Sequence, residues 1–549
     1  MKRALVALAV LTGAAALGYV LLSEKPPETP PSVAVDIRGT EVGQVTRIAL
    51  TLTAGPGGLS AGRTLRVGFP HWVYGSKGVR PPPRVDRLGW GRWYFVELTP
   101  ELAPGASHVI NLQPFRLPQT AGDGFRPLVF LDWEQLPTEP VALQAGKAEG
   151  LSVIAPSMWT QGEEFAVHRR LVDAFGNVLE VTREDKEPLS GEGIVPFSVS
   201  LDGPDGHFAG RSHPSLFVDD APPRVAWLDL HGHSGLSDGR GTPEEYFRKA
   251  RHESLLDGVA LSDHDWQLDD AEMKQLLAAT EAAYEPGAFV TIPALEINVN
   301  GHEVAYFLDS ARLAGVAQGS SGGARTIHDE TDRGLDTAKV PDVLADYGDA
   351  DILVATHTSL ARGMGTAYPL ERPLPGYHLF EVYSAHGSSE CAGCPRRVAG
   401  EDGDPDTATL WDALDAGHAL TLIAAGDGHD GRPGDPAWGA VRGGLTAVEV
   451  DELTRESVAE ALLLGRSWAT TGERTILQSR WTDTGVRVRF VSEEPAQALE
   501  VIGDRRVIAR LDAPSPGVWL DIPLEPTEWR YVRLLLPNGA RAWAGAHRP

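Results

Sequence analysis

The chain has 549 residues, 42% hydrophobic and 23% charged, with a formal net charge of −26 at pH 7. That length exceeds one domain, and the composition is that of a globular protein able to build large cores. The acidic balance excludes nucleic acid as a partner, because phosphate backbones need basic patches and none is evident. A small anionic substrate stays open, since a metal site brings its own positive charge.

Met1-Lys-Arg precedes an uncharged apolar run from Ala4 to Leu22, and a Pro-rich stretch follows as far as Ser32. This reads as a signal peptide or a membrane anchor. No Ala-x-Ala site ends the run, which favours the uncleaved anchor. Lys2 and Arg3 then stay cytoplasmic, and the bulk of the chain is exported, periplasmic or at the cell surface. Residues 1–32 are therefore expected to be leader or anchor with an extended tether.

From 33 to 223, short β-type runs such as Thr46-Arg-Ile-Ala-Leu-Thr-Leu-Thr alternate with Gly/Pro/Asp turns. The rhythm predicts two β-sandwiches, one over 33–142 and an Ig-like one over 143–223, serving as scaffold or spacer. At Trp227 the pattern changes to strand, helix, strand. Thr242-Pro-Glu-Glu predicts a capped helix running to about Leu255. A strand from Gly258 then delivers Asp263-His264, and a second helix spans about Asp269 to Tyr284. The strand Ala288 to Leu295 delivers Glu296, and later αβ units deliver His357 and Asp427-Gly-His429. Repeated βα units predict parallel strands with right-handed crossovers over 224–474. Candidate ligands recur at the C-terminal ends of strands, where a (β/α) barrel keeps its site. Two segments interrupt the pattern: Gly315 to Ala324 reads as a flexible insertion, and Ser384 to Asp406 as a polar loop suited to a lid. A small C-terminal β-domain is expected over 475–549.

Cys391 and Cys394 are the two cysteines. In an exported chain Cys-Ala-Gly-Cys is most simply a local disulfide; idle or metal-linked thiols and a redox motif are the other readings.

His231-x-His233 on an extended strand points both imidazoles the same way, so both can reach one ion. His231, His233, Asp238, His264, Glu296, His302, His357, Asp427 and His429 form a set of imidazoles and carboxylates on separated strand ends. Such donors suit Zn, Mn or Fe, and their number predicts two or three divalent ions. Glu296 ends a buried strand, a costly position for a carboxylate without a cation. Asp263 is expected to orient His264. Arg362 and Arg432 follow His357 and His429 closely enough to hold phosphate oxygens. His378, Glu381 and His386 are rival ligands.

These motifs resemble the PHP (polymerase and histidinol phosphatase) superfamily. The resemblance rests on His231-x-His233 with Ser237-Asp-Gly239, Thr242-Pro-Glu-Glu, Leu261-Ser-Asp-His264, Leu295-Glu296 and Gly426-Asp-Gly-His429. The stretch Leu453-Thr-Arg-Glu-Ser to Gly465-Arg-Ser-Trp-Ala-Thr-Thr-Gly472 is similar to its exported, DUF3604-type members. The similarity covers about Trp227 to Gly472 and implies a distorted (β/α)7 barrel with a trinuclear centre. It further implies that His231, His233, Glu296 and Asp427 hold one metal. Glu296 would bridge to a second with His302 and His357, and Asp238, His264 and His429 would hold the third.

The expected function is a metal-dependent hydrolase acting on a small phosphorylated molecule, with no protein partner. An amidohydrolase-type activity and a non-catalytic surface metal-binding module are the alternatives.

Overall fold

A computed structural model describes residues 30–69, 92–99, 101–112, 114–160, 164–186, 193–298, 302–319, 352–357, 377–394, 409–434 and 443–549. The expected anchor at 4–22 lies outside them, and no described helix is long and apolar enough to cross a membrane.

The N-terminal part is built from antiparallel sheets. Ser32–Ile37, Ile48–Thr53 and Ser107–Asn111 form one, while Glu134–Leu136, Leu128–Leu131, Thr64–Phe69 and Arg92–Glu97 form another. Alternation sets their faces: Ile48, Leu50 and Leu52 are buried, while Ala49, Thr51 and Thr53 are half-exposed. The inner faces share a core that includes Leu50, Leu65, Val67, Phe125 and Val129. A following set of strands from Gly150 to Val218 gathers around Trp159, Phe165, Phe197 and Phe217.

The central region contains β1 (Arg224–Asp229), α1 (Pro243–His252), β2 (Gly258–Leu261), α2 (Asp270–Ala283), β3 (Val290–Asn298) and β4 (His302–Phe307). It continues through β5 (Ile352–Thr356), β6 (Tyr377–Ser384), β7 (Thr421–Ala424), β8 (Leu445–Val450), α3 (Arg455–Leu463) and β9 (Ser467–Thr470). Local sequence explains the helix starts. The Thr242 hydroxyl caps α1 by accepting from Glu245 N with Pro243 at its first position, and Asp269 with Glu272 forms a capping box on α2. Met273, Leu276 and Thr280 bury the inner face of α2.

The expected (β/α)7 barrel is not what the chain forms. β1, β2 and β3 are parallel neighbours, but β4 returns antiparallel to β3 and pairs antiparallel with β5. β8 and β9 are also antiparallel, and β9 pairs with the C-terminal strand Arg541–His547. The result is one long, mostly β mixed sheet running from β6 through β1 into the C-terminal strands, with few helices among the described residues. The cause is connection length. Only three residues separate β3 from β4, enough for a hairpin but far short of a helical crossover.

Two connections place the site. The loops after β1 and β7 meet edge to edge, with His233 N donating to Gly428 O at 2.9 Å and Asp427 N to His231 O at 2.8 Å. Gly232 is required there, because a Cβ would collide with the Tyr246 hydroxyl. Cys391 and Cys394 form a disulfide just after the strand pair at Tyr383–Ser388.

Beside the disulfide, buried Glu390 accepts from Tyr531 Oη at 2.5 Å and from Arg533 Nη1 at 2.7 Å. Arg533 also keeps Glu500 at 2.6 Å, so removing one carboxylate leaves its charge partly compensated. Glu390→Ala should therefore cost about 3 kcal/mol, the low end for breaking a buried ion pair. Urea unfolding of the variant against the parent checks this.

Candidate metal centre

The strand ends and their loops converge five overlapping sets of donor atoms, each set lying within 4.8 Å. One contains His233, Asp238, His264 and His429, and another His231, His233, Glu296 and Asp427. The remaining three are His264 with Glu296 and His302, His357 with His386 and Asp427, and His231 with His357 and Glu381. All nine residues named as ligands stand in these sets. His231, His233, His264, Glu296, His357 and Asp427 each belong to two, so neighbouring sites share donors.

Periodicity explains the delivery. His231 and His233 continue the register of β1, and Glu296 and His302 lie diagonally across the β3–β4 pair, near the end where one strand leads into the other. Asp427 follows β7 with a positive φ of 48°, in the left-handed region that aspartate, like asparagine, tolerates better than most residues. Asp229 holds that turn in place. Its carboxylate accepts from Gly426 N and Gly434 N, both at 2.7 Å, and burial pushes it up to about 6 against those hydrogen bonds.

The donors fit a cation better than they fit one another. Both ring nitrogens of His233 are buried without a hydrogen-bond partner, although Nε2 lies 3.0 Å from Glu296 Oε2 and 3.3 Å from Asp427 Oδ1. The atoms are close but not aligned for hydrogen bonding, as ligands converging on a common ion would be. Burial alone would push the His231 and His233 imidazoles down, yet the surrounding carboxylates hold both up at about 10. Burial would likewise raise Asp238, Glu296 and Asp427, but the facing imidazoles hold all three well below the usual carboxylate range. So much buried negative charge is held either by protons on the imidazoles or by a cation that takes their place. Nitrogen and oxygen donors without thiolate suit a divalent ion of the zinc, manganese or iron kind.

Several placements differ from expectation. Asp263 belongs to none of the five sets. Its Oδ1 accepts from Ser234 N at 2.8 Å and Ser237 Oγ at 2.5 Å, and its Oδ2 from Ser234 Oγ at 2.7 Å. It therefore pins the loop that carries Asp238 rather than the His264 ring. Arg432 donates to Phe175 O at 2.8 Å and Gly176 O at 3.4 Å, so its guanidinium engages the N-terminal region. Arg362 lies outside the described residues. His302 groups with His264 and Glu296, while His357 groups with Asp427 and His386, rather than Glu296, His302 and His357 forming one set.

Of the three rivals, His378 is exposed, but Glu381 and His386 enter the centre. His386 Nε2 lies 2.8 Å from Asp427 Oδ2. Glu381 reaches two rings: Oε2 lies 3.0 Å from His231 Nδ1 and Oε1 lies 2.5 Å from His357 Nδ1. That leaves Nε2 of each ring aimed at Asp427, at 3.6 and 3.2 Å. One carboxylate thus fixes the tautomer and orientation of two imidazoles. The signal was available, because Glu381 is a lone carboxylate inside the apolar run Tyr377 to Tyr383. Glu381→Gln should weaken metal binding by roughly 10–100-fold, as loss of such an orienting partner does. Competition with a chromogenic chelator measures this.

No family model matches the chain. A relative from Chlamydia pneumoniae, described as an uncharacterized protein, is 22% identical over 363 residues, covering 60% of this chain and 56% of its own length. The chain thus spans little more than half of that relative. Among solved structures, the lesion-specific endonuclease PfuEndoQ from Pyrococcus furiosus shows 14% identity over 44% of this chain and 56% of its own, with a TM-score of 0.28. The bacterial hydrophobin BslA shows 17% identity over 22% of this chain and 98% of its own, with a TM-score of 0.16. Both scores are too low to carry an argument about fold or activity. The reading of function rests on the site itself.

Proposed function

We propose that this chain is an exported metal-dependent hydrolase of the PHP kind, acting as a phosphoesterase on a small phosphorylated molecule. The observation that carries the proposal is the sharing of Glu296, Asp427 and His233 between adjacent donor sets, which suits two or three neighbouring divalent ions. Such ions, when bound, clamp phosphoryl oxygens, offset charge that develops at phosphorus and make water a stronger nucleophile at neutral pH.

The protein's own residues supply the frame. His231, His233, Glu296 and Asp427 would hold one ion, with Glu296 reaching towards a neighbour through the His264 and His302 side. Asp238, His264 and His429 would complete the set that shares His233. Glu381 orients His231 and His357, and Asp263 fixes the serine loop behind Asp238. Burial of His231, His233 and Glu296 at 0–1% exposure keeps bulk water from competing for these donors.

The test assays the full chain on phosphate mono- and diesters beside amides, with His233→Ala as control. Phosphoester turnover that disappears in the variant supports the proposal. Turnover of amides alone assigns an amidohydrolase, and equal turnover by parent and variant refutes any hydrolysis at this centre.

A further inference from the structure

The loops that carry Asp238 and His429 have their backs against the N-terminal β-region, which was expected to be a spacer. Arg240, two residues after Asp238, is 2% exposed and extends away from the donors. Its guanidinium donates to three carbonyls of one short stretch that leads into the strand Gly122–Phe125: Thr120 O at 2.7 Å, Gly122 O at 3.0 Å and Asp123 O at 3.4 Å. The Thr120 hydroxyl in turn donates to Oδ2 of Asp430, the neighbour of His429, at 2.8 Å in a buried contact. Lys249 Nζ closes the ring, donating to Ala121 O at 3.1 Å and to Gly431 O at 3.3 Å. Gly122 has a φ of +132°, and a Cβ there would meet Lys249 Nζ at 2.5 Å, so this stretch is fitted closely to the central region.

We infer that the stretch Gln119–Asp123, which leads into the strand Gly122–Phe125, is a positioning element of the metal centre. It holds the loops bearing Asp238 and His429 so that their donors meet those of His233 and His264. The geometry favours this over simple attachment of one module to another. A planar guanidinium satisfied by three carbonyls fixes a loop in position and in rotation, which a single surface contact does not. Asp263 and Asp229 hold the two loops from the side of the centre, this stretch holds them from the opposite side, and a coordination sphere depends on its supporting contacts as much as on its ligands. This inference rests on the metal-centre reading above.

The full chain is loaded with Mn2+ or Zn2+ in separate arms, and metal equivalents and release to a chelator are followed for the parent, Arg240→Gln, Thr120→Val and Thr120→Ser. Thr120→Val is close in shape to the parent and decides the matter if Arg240→Gln does not fold. The inference predicts that part of the bound metal leaves roughly 10–100-fold faster from Arg240→Gln and Thr120→Val. Thr120→Ser, which keeps the hydroxyl, should release at the parent rate. Parent-like equivalents and release rates in Thr120→Val and in folded Arg240→Gln overturn the inference while leaving the metal centre standing. A parent chain that takes up neither ion overturns the metal-centre reading itself, and this inference with it.

Discussion

Replacing Glu296 by alanine should lower phosphoester hydrolysis by roughly 10²–10³-fold, the scale on which loss of one built-in electrostatic stabiliser acts. The expectation follows from what one oxygen does. Glu296 Oε2 lies 3.1 Å from His231 Nε2, 3.0 Å from His233 Nε2 and 3.3 Å from His264 Nδ1. Oε1 faces His302 Nδ1 from the partner strand. Asp427 is the other carboxylate so placed, within 3.7 Å of His231, His233, His357, His386 and His429. Removal of Glu296 should take at least one metal equivalent with it and leave the imidazoles around it without their shared counter-charge. Glu296→Gln keeps the size and loses the charge, so it separates electrostatics from packing. Elemental analysis beside steady-state rates measures both effects. Parent-like turnover in Glu296→Gln would place the chemistry elsewhere.

Stripping the metal should both abolish hydrolysis and destabilise the fold. An ion present at a hundred times its dissociation constant stabilises the native state by about 2.7 kcal/mol per site, provided the unfolded chain does not bind it. Removal also leaves buried carboxylates facing each other with only imidazoles between them. Thermal unfolding of chelated protein should therefore fall by several degrees and recover when Mn2+ or Zn2+ is returned. The gap should narrow as pH falls, because imidazole binds metal only when deprotonated and protons then compete with the ion. An unfolding temperature indifferent to chelation and reloading would contradict a structural share for the ions.

Much of this centre was legible in the sequence, and for physical reasons. Period-two spacing put His231 beside His233, and a carboxylate such as Glu296 in an apolar strand demanded a partner. Glu381 satisfies the same criterion, and in the sequence it stands as a rival ligand beside His378 and His386. His386 carried little signal, since a lone histidine beyond a strand end is seldom distinctive. The barrel fails at several strand pairs, of which β3–β4 was readable. Asn300-Gly301 between two apolar runs is a hairpin signal in the sequence, and β4 pairs antiparallel with β3 rather than parallel after a crossover. Local patterning also could not show that the C-terminal strands extend the central sheet, because sheet neighbours are chosen by packing over long separations. Arg432 illustrates the same limit. Its position beside His429 was readable, but its direction depends on the distant turn at Phe175 and Gly176.

The most direct measurement is the number of metal ions per chain in the purified full-length protein, set against the same count for His233→Ala. The converging donors predict two or three tightly held divalent ions in the parent and a clear loss in the variant, since His233 serves two adjacent sets. A parent chain that holds no divalent ion after reloading, or a variant that keeps the full complement, would contradict the account.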